Sequence, residues 1–281
     1  MPVFTLTRPE LQQLIARIAV AIGEKRGTLL DQKAVDTEKG TPSPAKEDLR
    51  VSAPELSGDL RNLARLIDHT LLRPEATRGE IEQHCQEALS LGFGAVYIGP
   101  TWIALAAEQL RGSAVRVGTA IGFPFGATLT SAKCAEAEAA IRLGASELDM
   151  VMNIGALRSG RLEQVRSDIG GVVEVAHDSG CTLKVILENA YLSDEQKVTA
   201  CRIAKQAGAD YVKTSTGFGP SGATEADVRL MRETVGLAMG VKAAGGIRNL
   251  GDALRMLKAG ADRLGSSASV SILAEASRRV V

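Results

Sequence analysis

The sequence predicts an α/β protein, because three observations agree. A unit of helix, glycine-containing turn and short apolar strand recurs, as in RLGASELDMVM, QAGADYVKTST and KAGADRLGSSA, with SLGFGAVYIG as a looser copy. Each unit has a glycine where a helix needs a left-handed C-terminal cap: Gly92, Gly144, Gly208 and Gly260. Eight such strands alternate with helices, which is typical of a closed (β/α)8 TIM barrel. An open doubly wound sheet is the alternative.

Two segments precede the predicted barrel. Residues 1–26 contain an amphipathic helix, since Leu11, Leu14, Ile15, Ile18, Ala19 and Ile22 recur at helical spacing. Residues 27–57 combine three prolines with polar residues and show no sustained period, which predicts a flexible linker. The barrel is therefore predicted over residues 58–281.

The predicted strands of the barrel follow in order, and capping boxes at Thr77 with Glu80 and at Ser193 with Gln196 mark two helix starts. The strands are predicted at residues 65–71, 95–99, 116–123, 147–153, 183–189, 211–217, 240–246 and 263–268.

Composition excludes several function classes. Lys plus Arg and Asp plus Glu both number 33, so no net field favours nucleic acid or an anionic membrane, and the partner is predicted to be a small molecule. No signal peptide and no run of 18 apolar residues is found, which indicates a cytoplasmic protein. The cysteines are predicted to be reduced, because Cys85, Cys134, Cys181 and Cys201 form no CxxC pair.

Neither a nucleotide cofactor nor a metal is expected. Gly217, Gly219 and Gly222 satisfy GxGxxG, but Pro220 lies within the motif and no acidic residue ends the next strand. Of the three histidines only His69 is expected near the barrel mouth, beside Asp68, and no metal-binding spacing appears.

Polar residues interrupt the apolar strands near their carboxyl ends, where the active sites of such barrels lie. Asp68 and Thr70 are in strand 1, Asp149 in strand 4, and Glu188 ends strand 5. Lys184 begins strand 5, and a structural or solvated role is expected for it.

Lys213 and Lys242 lie in the consecutive strands 6 and 7. Two ammonium groups ~4 Å apart at an effective dielectric of ~20 repel by ~4 kcal/mol, which would bring one of them close to neutrality and make it a nucleophile toward a carbonyl. The alternative is that each lysine extends outward to solvent or pairs with Asp149 or Glu188 as a structural ion pair. Spacing alone leaves open which lysine is the nucleophile.

The last three strands end in glycine and hydroxyl residues, whose backbone N–H groups and following helix N-termini are suited to a phosphate group. The candidate phosphate residues are Gly217, Gly245, Gly246, Gly265, Ser266 and Ser267.

The motifs LIDHTLL, IGFPFG, ELDMVMNIGAL, LKVILEN, YVKTSTGF and GVKAAGGIR resemble the 2-deoxyribose-5-phosphate aldolase family, class I aldolases that cleave 2-deoxy-D-ribose 5-phosphate to glyceraldehyde 3-phosphate and acetaldehyde. The resemblance covers residues 58–281. It implies a carbon–carbon lyase without cofactor in which Lys213 forms a Schiff base, Lys242 lowers its pKa and Asp149 moves protons. It also implies that Asp68 and Thr70 contact a substrate hydroxyl. Departures from the family pattern are Tyr97 for a frequent cysteine, Asn189 for threonine, and Ala268 after Ser267.

Other readings remain at this point. A different Schiff-base barrel, such as a transaldolase-like lyase, shares the lysine chemistry, and a non-catalytic phosphate-binding barrel is the competing class. A homodimer is expected. The N-terminal segment resembles encapsulation peptides, so residues 8–24 are a candidate for binding a shell protein of a bacterial microcompartment.

Overall fold

We describe residues 60–279 from a computed structural model. The predicted helix over residues 1–26 and the linker over residues 27–57 lie outside the described residues.

The described chain alternates strands and helices along its length. The strands are β1 Ile67–Leu71, β2 Ala95–Ile98, β3 Arg116–Ile121, β4 Glu147–Val151, β5 Thr182–Ile186, β6 Tyr211–Lys213, β7 Gly240–Ala244 and β8 Arg263–Ser266. The helices are α1 Leu60–Arg65, α2 Arg78–Leu91, α3 Ile103–Gln109, α4 Thr130–Arg142, α5 Ile154–Arg158, α6 Leu162–Asp178, α7 Asp194–Gln206, α8 Glu225–Val235, α9 Leu250–Lys258 and α10 Ser269–Arg279. Short 3₁₀ turns follow β2 and β5.

The strands close into one parallel barrel in chain order, with β8 paired to β1. The (β/α)8 prediction is confirmed, and the open sheet is excluded. Within residues 60–279 we find no helix with the length and apolar character needed to cross a lipid bilayer.

Successive strand residues alternate between the barrel interior and the helical layer. Apolar residues such as Leu148, Val212 and Val241 are fully buried in the core beneath the helices. Burying each such side chain contributes about 1.5–3 kcal/mol, so the outer layer holds the barrel together. The interior of β4 instead carries the acidic pair Glu147 and Asp149, which bond to side chains of other strands.

The predicted turn chemistry is confirmed. The glycines after α2, α4, α7 and α9 all have positive φ: Gly92 71°, Gly144 108°, Gly208 89° and Gly260 112°. Such angles are strained for any residue with a Cβ, so these positions require glycine. The capping box of α7 is also present, with the Ser193 N–H donating to Gln196 Oε1 at 3.0 Å.

Strands β3 to β8 end two to four residues earlier than predicted. Four of the extra residues are glycines with positive φ, a backbone conformation outside the β region: Gly122, Gly217, Gly245 and Gly246. These residues therefore belong to the loops that surround the barrel mouth.

Candidate active site

Lys213 and Lys242 meet one carboxylate inside the barrel. Asp149 Oδ2 lies 2.8 Å from Lys213 Nζ and 2.7 Å from Lys242 Nζ. The prediction that these three residues converge is confirmed in position. The sequence predicts that the two ammonium groups repel each other directly. In the structure both contact one carboxylate, so attraction to Asp149 acts together with that repulsion.

The strand register brings the two lysines together. The Cα atoms of Lys213 and Lys242 are direct partners across β6 and β7, so their side chains leave the barrel wall at the same level. Their sequence neighbours Val212 and Val241 face the helices and fix this orientation through the apolar core.

Burial is the largest influence on the pKa of Lys213, and it acts against the charged form. Asp149 raises this pKa and the nearby charge of Lys242 lowers it, with the result that the pKa of Lys213 falls to about 8. Burial is therefore the first cause of the shift and Lys242 only a further one. At pH 7 about one Lys213 in ten is unprotonated, against less than about one in a thousand for a free lysine.

Asp149 responds in the opposite way. Burial, the largest single influence, raises its pKa, but the charges of Lys213, Lys242 and Lys184 together outweigh burial and lower the pKa of Asp149 below its usual range. Asp149 is therefore a carboxylate in the resting site, able to accept a proton and not to donate one.

Asp68 joins the same cluster from β1. Its Oδ2 lies 2.5 Å from Lys242 Nζ, and its Oδ1 accepts from the Arg263 guanidinium, whose Nε is 3.0 Å away. Thr70, two residues on, is half-buried and donates to the Asp68 carbonyl oxygen at 2.9 Å. Both residues thus lie on the interior face of β1, with Asp68 in direct contact with Lys242.

A second charged layer, which the sequence analysis did not assemble, lies beside the first. Glu147 accepts from Lys184 at 2.5 Å, from Arg116 at 2.9 Å and from the Tyr97 hydroxyl at 3.1 Å. Lys184 is fully buried, so the solvated role considered for it is wrong. The spacing of Glu147 and Asp149 was an available signal, because residues i and i+2 of a strand face the same side.

Glu188 lies at the mouth but serves the loop after β6. Its Oε2 accepts from the Thr216 backbone N–H at 3.2 Å and from the Thr216 hydroxyl, and Gly219 packs against its carboxylate. Glu188 has φ 55°, which is rare for a residue with a side chain. The structure places its carboxylate on this loop and not in the Lys213–Asp149 cluster.

The GxGxxG stretch is part of the same loop. Gly222 packs on Gly245 so closely that an added Cβ would lie 2.2 Å from the Gly245 oxygen. Since the next helix, α8, begins only at Glu225, these glycines pack the β6 and β7 loops together instead of opening a helix.

The candidate phosphate residues surround one side of the mouth. Gly217 and Gly246 have positive φ and open space where a Cβ would point, so a ligand can approach their backbone closely. Ser267 is exposed just before α10. Ser266 is buried, and its hydroxyl donates to the Ile247 oxygen at 2.8 Å, which makes it a support of the loop. Gly265 faces Lys242 Cε, where an added Cβ would lie at 3.2 Å.

A cavity of about 310 Å³ opens beside this centre, between the segments that follow β1, β2 and β3. Arg73, Trp102, Phe123 and Glu136 line it, and it reaches Ala120, whose Cα pairs with that of Asp149. The cavity therefore extends to the strand that neighbours Asp149.

The expectation that His69 lies near the mouth is wrong. Its ring packs outside the barrel wall, stacked on His84 with ring centroids 3.5 Å apart, and its Nε2 lies 2.9 Å from Glu87. Desolvation by burial lowers the pKa of His69 to about 3. These three residues form a possible metal-ligand group, but nearly parallel stacked rings cannot both direct an in-plane lone pair at one ion unless the stack opens.

The geometry of the site can now be set beside known proteins. The sequence matches the DeoC/LacD family aldolase over residues 63–272. The chain belongs to the DeoC/LacD aldolase family. This match covers the described barrel and begins after the predicted N-terminal extension.

Individual relatives of this aldolase family agree. The chain is 55% identical over 212 residues to the deoxyribose-phosphate aldolase of Staphylococcus saprophyticus, covering 75% of this chain and 96% of that protein. It is 52% identical over 217 residues to the enzyme of that name from Caldanaerobacter subterraneus, covering 77% and 94% respectively. The tetrameric deoxyribose phosphate aldolase of Aeropyrum pernix superposes with a TM-score of 0.75 at 33% identity, covering 85% of this chain and 100% of that one.

Proposed function

We propose that this member of the aldolase family is a deoxyribose-phosphate aldolase that reversibly cleaves 2-deoxy-D-ribose 5-phosphate to D-glyceraldehyde 3-phosphate and acetaldehyde. One observation carries the proposal: a buried lysine at the end of β6, with its pKa lowered to about 8, contacts the carboxylate that it shares with a second lysine. The names of the relatives support the substrate class.

Lys213 is the nucleophile in this proposal. Its unprotonated Nζ attacks C1 of the open-chain sugar, and loss of water from the adduct gives an iminium ion. With a pKa of about 8, Lys213 has a useful neutral fraction at pH 7. Its nitrogen can still be protonated after it has bonded to C1 of the sugar.

Cleavage of the C2–C3 bond requires removal of the proton from the C3 hydroxyl. The electron pair of that bond moves into the iminium to give an enamine, and glyceraldehyde 3-phosphate leaves. Asp149, held as a carboxylate, is the base that receives the proton, directly or through water, and the Lys242 ammonium stabilises the carboxylate. Asp68 and Thr70 contact the substrate hydroxyl from the β1 side.

Return of a proton to C2 converts the enamine into the iminium of acetaldehyde, which water hydrolyses to free Lys213. The iminium serves as the electron sink, so the reaction needs neither a metal nor an organic cofactor.

The phosphate group is assigned to the glycine and serine loops after β6, β7 and β8. The open backbone at Gly217 and Gly246, the Gly245 and Gly265 turns, and the Ser267 hydroxyl supply N–H and O–H donors. The N-terminus of α10 adds its dipole, and Ser266 holds the loop in place.

Reduction with borohydride in the presence of acetaldehyde tests the proposal. The wild-type chain should gain the mass of one ethyl group on Lys213. Lys213→Met should abolish that gain, whereas Lys258→Met, a change of an exposed lysine on α9, should leave it intact. Trapping on another lysine would overturn the assignment of the nucleophile.

Trapping without cleavage of deoxyribose 5-phosphate would identify a different Schiff-base barrel. Absence of trapping and of turnover in the folded wild-type chain would favour a non-catalytic phosphate-binding barrel.

We also propose a cytoplasmic homodimer whose residues 8–24 bind a shell protein of a bacterial microcompartment. The support is the amphipathic spacing within residues 1–26, the linker over residues 27–57, and the reactivity of acetaldehyde, which favours its confinement. Deleting residues 1–50 should leave turnover intact and abolish co-purification with shell proteins. Loss of turnover on deletion would contradict the domain division, and light scattering tests the dimer.

A further inference from the structure

Tyr97 contacts both buried lysine systems with different parts of its side chain. The residue lies on β2 and is fully buried. The face of its ring lies 3.6 Å from Lys242 Nζ, measured to the ring centroid. Its hydroxyl accepts from Lys184 Nζ at 2.5 Å and donates to Glu147 at 3.1 Å.

The Tyr97 ring occupies the space that a glycine on the next strand leaves free. Gly118 on β3 is the Cα partner of Tyr97. A Cβ added to Gly118 would lie 2.5 Å from ring atom Cζ and 2.6 Å from Cε2, closer than such atoms can approach. The glycine therefore makes the space that the ring fills, and the ring face stays against Lys242.

Two carboxylates, one on β1 and one on β4, contact the Lys242 ammonium. Asp68 Oδ2 lies 2.5 Å away and Asp149 Oδ2 2.7 Å away, so the two carboxylates share this ammonium. The other charged groups around this site are Lys213 on β6, Lys184 on β5, Glu147 on β4 and Arg263 on β8.

The Tyr97 ring adds an uncharged surface to the charged surroundings of the Lys242 ammonium. A cation over an aromatic face in a desolvated site is stabilised enough to change an equilibrium by about tenfold or more. At 3.6 Å the contact is close, and it acts perpendicular to the ring, which keeps the ammonium against the face.

We propose that Tyr97 is a positioning residue for the aldolase reaction: its ring face holds the Lys242 ammonium between Asp68 and Asp149 and thereby sets the reactivity of Lys213. The inference rests on the proposed function. It assigns the effect to the ring and not to the hydroxyl, which belongs to the Lys184–Glu147 pair.

Two substitutions separate the ring from the hydroxyl. Tyr97→Phe keeps the aromatic face and removes the bonds to Lys184 and Glu147, whereas Tyr97→Leu removes the face as well. The measurement is the rate of borohydride trapping of acetaldehyde on Lys213 between about pH 6 and about pH 10, together with kcat and KM for deoxyribose 5-phosphate.

We expect a wild-type midpoint near the pKa of Lys213, about 8. Tyr97→Leu should move the midpoint upward by about one pH unit and slow trapping at pH 7 by about tenfold, with KM changed less than about twofold. Tyr97→Phe should keep the wild-type midpoint even if its melting temperature falls. A residue that only fills space would lower stability in both variants and leave both pH profiles unchanged.

Gly118→Ala provides a second route to the same answer, because it displaces the ring without altering Tyr97. It should shift the midpoint in the same direction, and in the Tyr97→Leu background it should add no further shift.

The proposal is overturned if Tyr97→Leu or Gly118→Ala keeps the wild-type midpoint, or if Tyr97→Phe shifts it as much as Tyr97→Leu. Absence of trapping in the wild-type chain would instead refute the aldolase function itself.

Discussion

Lys184 and Lys213 lie on adjacent strands, and both are buried, yet their pKa values move in opposite directions. Burial is the largest influence on each and lowers both. Lys184 gains Glu147 at 2.5 Å and Asp149 Oδ1 at 3.5 Å, and its pKa is raised. Lys213 pairs with Asp149, which it shares with the Lys242 ammonium, and its pKa falls to about 8.

The difference shows that burial alone does not choose a nucleophile in this barrel. The balance of carboxylates and ammonium groups decides which lysine is neutral, because each buried lysine experiences the same kind of desolvation. Lys184 has Glu147 as its nearest carboxylate and Asp149 as a more distant one, while Lys213 shares Asp149 with Lys242 at the mouth. Changing the acidic residue of each layer therefore tests the comparison most directly.

Asp149→Asn should have the largest effect. Loss of the base should lower kcat by about 10²- to 10⁴-fold and slow solvent deuterium exchange at the acetaldehyde methyl carbon equally. Binding should change little. Trapping on Lys213 should persist at pH 7, since the carboxylate that raises the pKa of Lys213 is gone.

Exchange is followed by proton NMR in deuterated buffer. Asp168→Asn is the matched control, because Asp168 is also buried and bonds to Lys133, outside the barrel interior. The control should lose stability and keep normal exchange. Unchanged exchange in Asp149→Asn would remove Asp149 from the proton path.

Glu147→Gln should damage the fold more than the chemistry. The change leaves Lys184, Arg116 and Arg263 without their shared carboxylate, and breaking a buried ion pair costs about 3–5 kcal/mol of unfolding free energy. Trapping on Lys213 should remain within about fivefold of wild type below the melting temperature.

Denaturant unfolding measures this loss. Glu138→Gln, which removes an exposed pair with Arg142, is the control and should leave the denaturation midpoint unchanged. If Glu147→Gln abolished trapping while the chain stayed folded, the Lys184–Glu147 and Lys213–Asp149 layers would act as one catalytic unit. That result would contradict the contrast drawn between Lys184 and Lys213.

These two layers differ in how far the sequence could predict them. The helix–glycine–strand repeat predicted the barrel, because each glycine cap depends on local backbone geometry alone. The Lys213–Lys242 pair was also accessible, since adjacent parallel strands bring their carboxyl ends together. Tyr97 and Arg263 were missed as partners of Glu147, because their contacts form only when the barrel closes. His69 was predicted at the mouth, but the alternation of side chains along β1 turns it away from the face of Asp68.

Lys242→Leu should produce a moderate effect that depends on pH. Unprotonated Lys213 is the reactive form, so the trapping rate of wild type rises with pH and levels off above about pH 8. Removing the positive charge of Lys242, which lowers the pKa of Lys213, raises that pKa. The profile should therefore move upward by about one pH unit or more, with about tenfold slower trapping at pH 7.

The profile is measured by mass spectrometry after borohydride quenching at a series of pH values. Lys133→Leu is not a suitable comparison, because it leaves Asp168 buried without its partner. Lys258→Leu, on the surface of α9, is a suitable comparison, and it should keep the wild-type midpoint. A downward shift in Lys242→Leu would mean that Lys242 acts on Lys213 in some way other than by its charge.

The smallest expected effect is that of a substitution at Ser267. This substitution tests phosphate binding separately from the charge balance that distinguishes Lys184 from Lys213. Ser267 is exposed, and backbone N–H groups would remain to bind phosphate after its hydroxyl is removed. Ser267→Ala should therefore raise KM for deoxyribose 5-phosphate only about threefold to tenfold, with kcat and the trapping midpoint unchanged. Steady-state kinetics with deoxyribose, which lacks the phosphate, should show no difference between variant and wild type.

Ser266→Ala gives the contrast within the same loop. The Ser266 hydroxyl donates to the Ile247 oxygen and accepts from the Ala268 N–H at 2.9 Å, so its loss should lower stability by about 1 kcal/mol.

An equal rise in KM for deoxyribose and for deoxyribose 5-phosphate in Ser267→Ala would show that the Ser267 hydroxyl does not contact phosphate. The β8 loop would then act on the shape of the mouth, and the phosphate would have to be bound by the backbone of the β6 and β7 loops, where Gly217 and Gly246 leave open space.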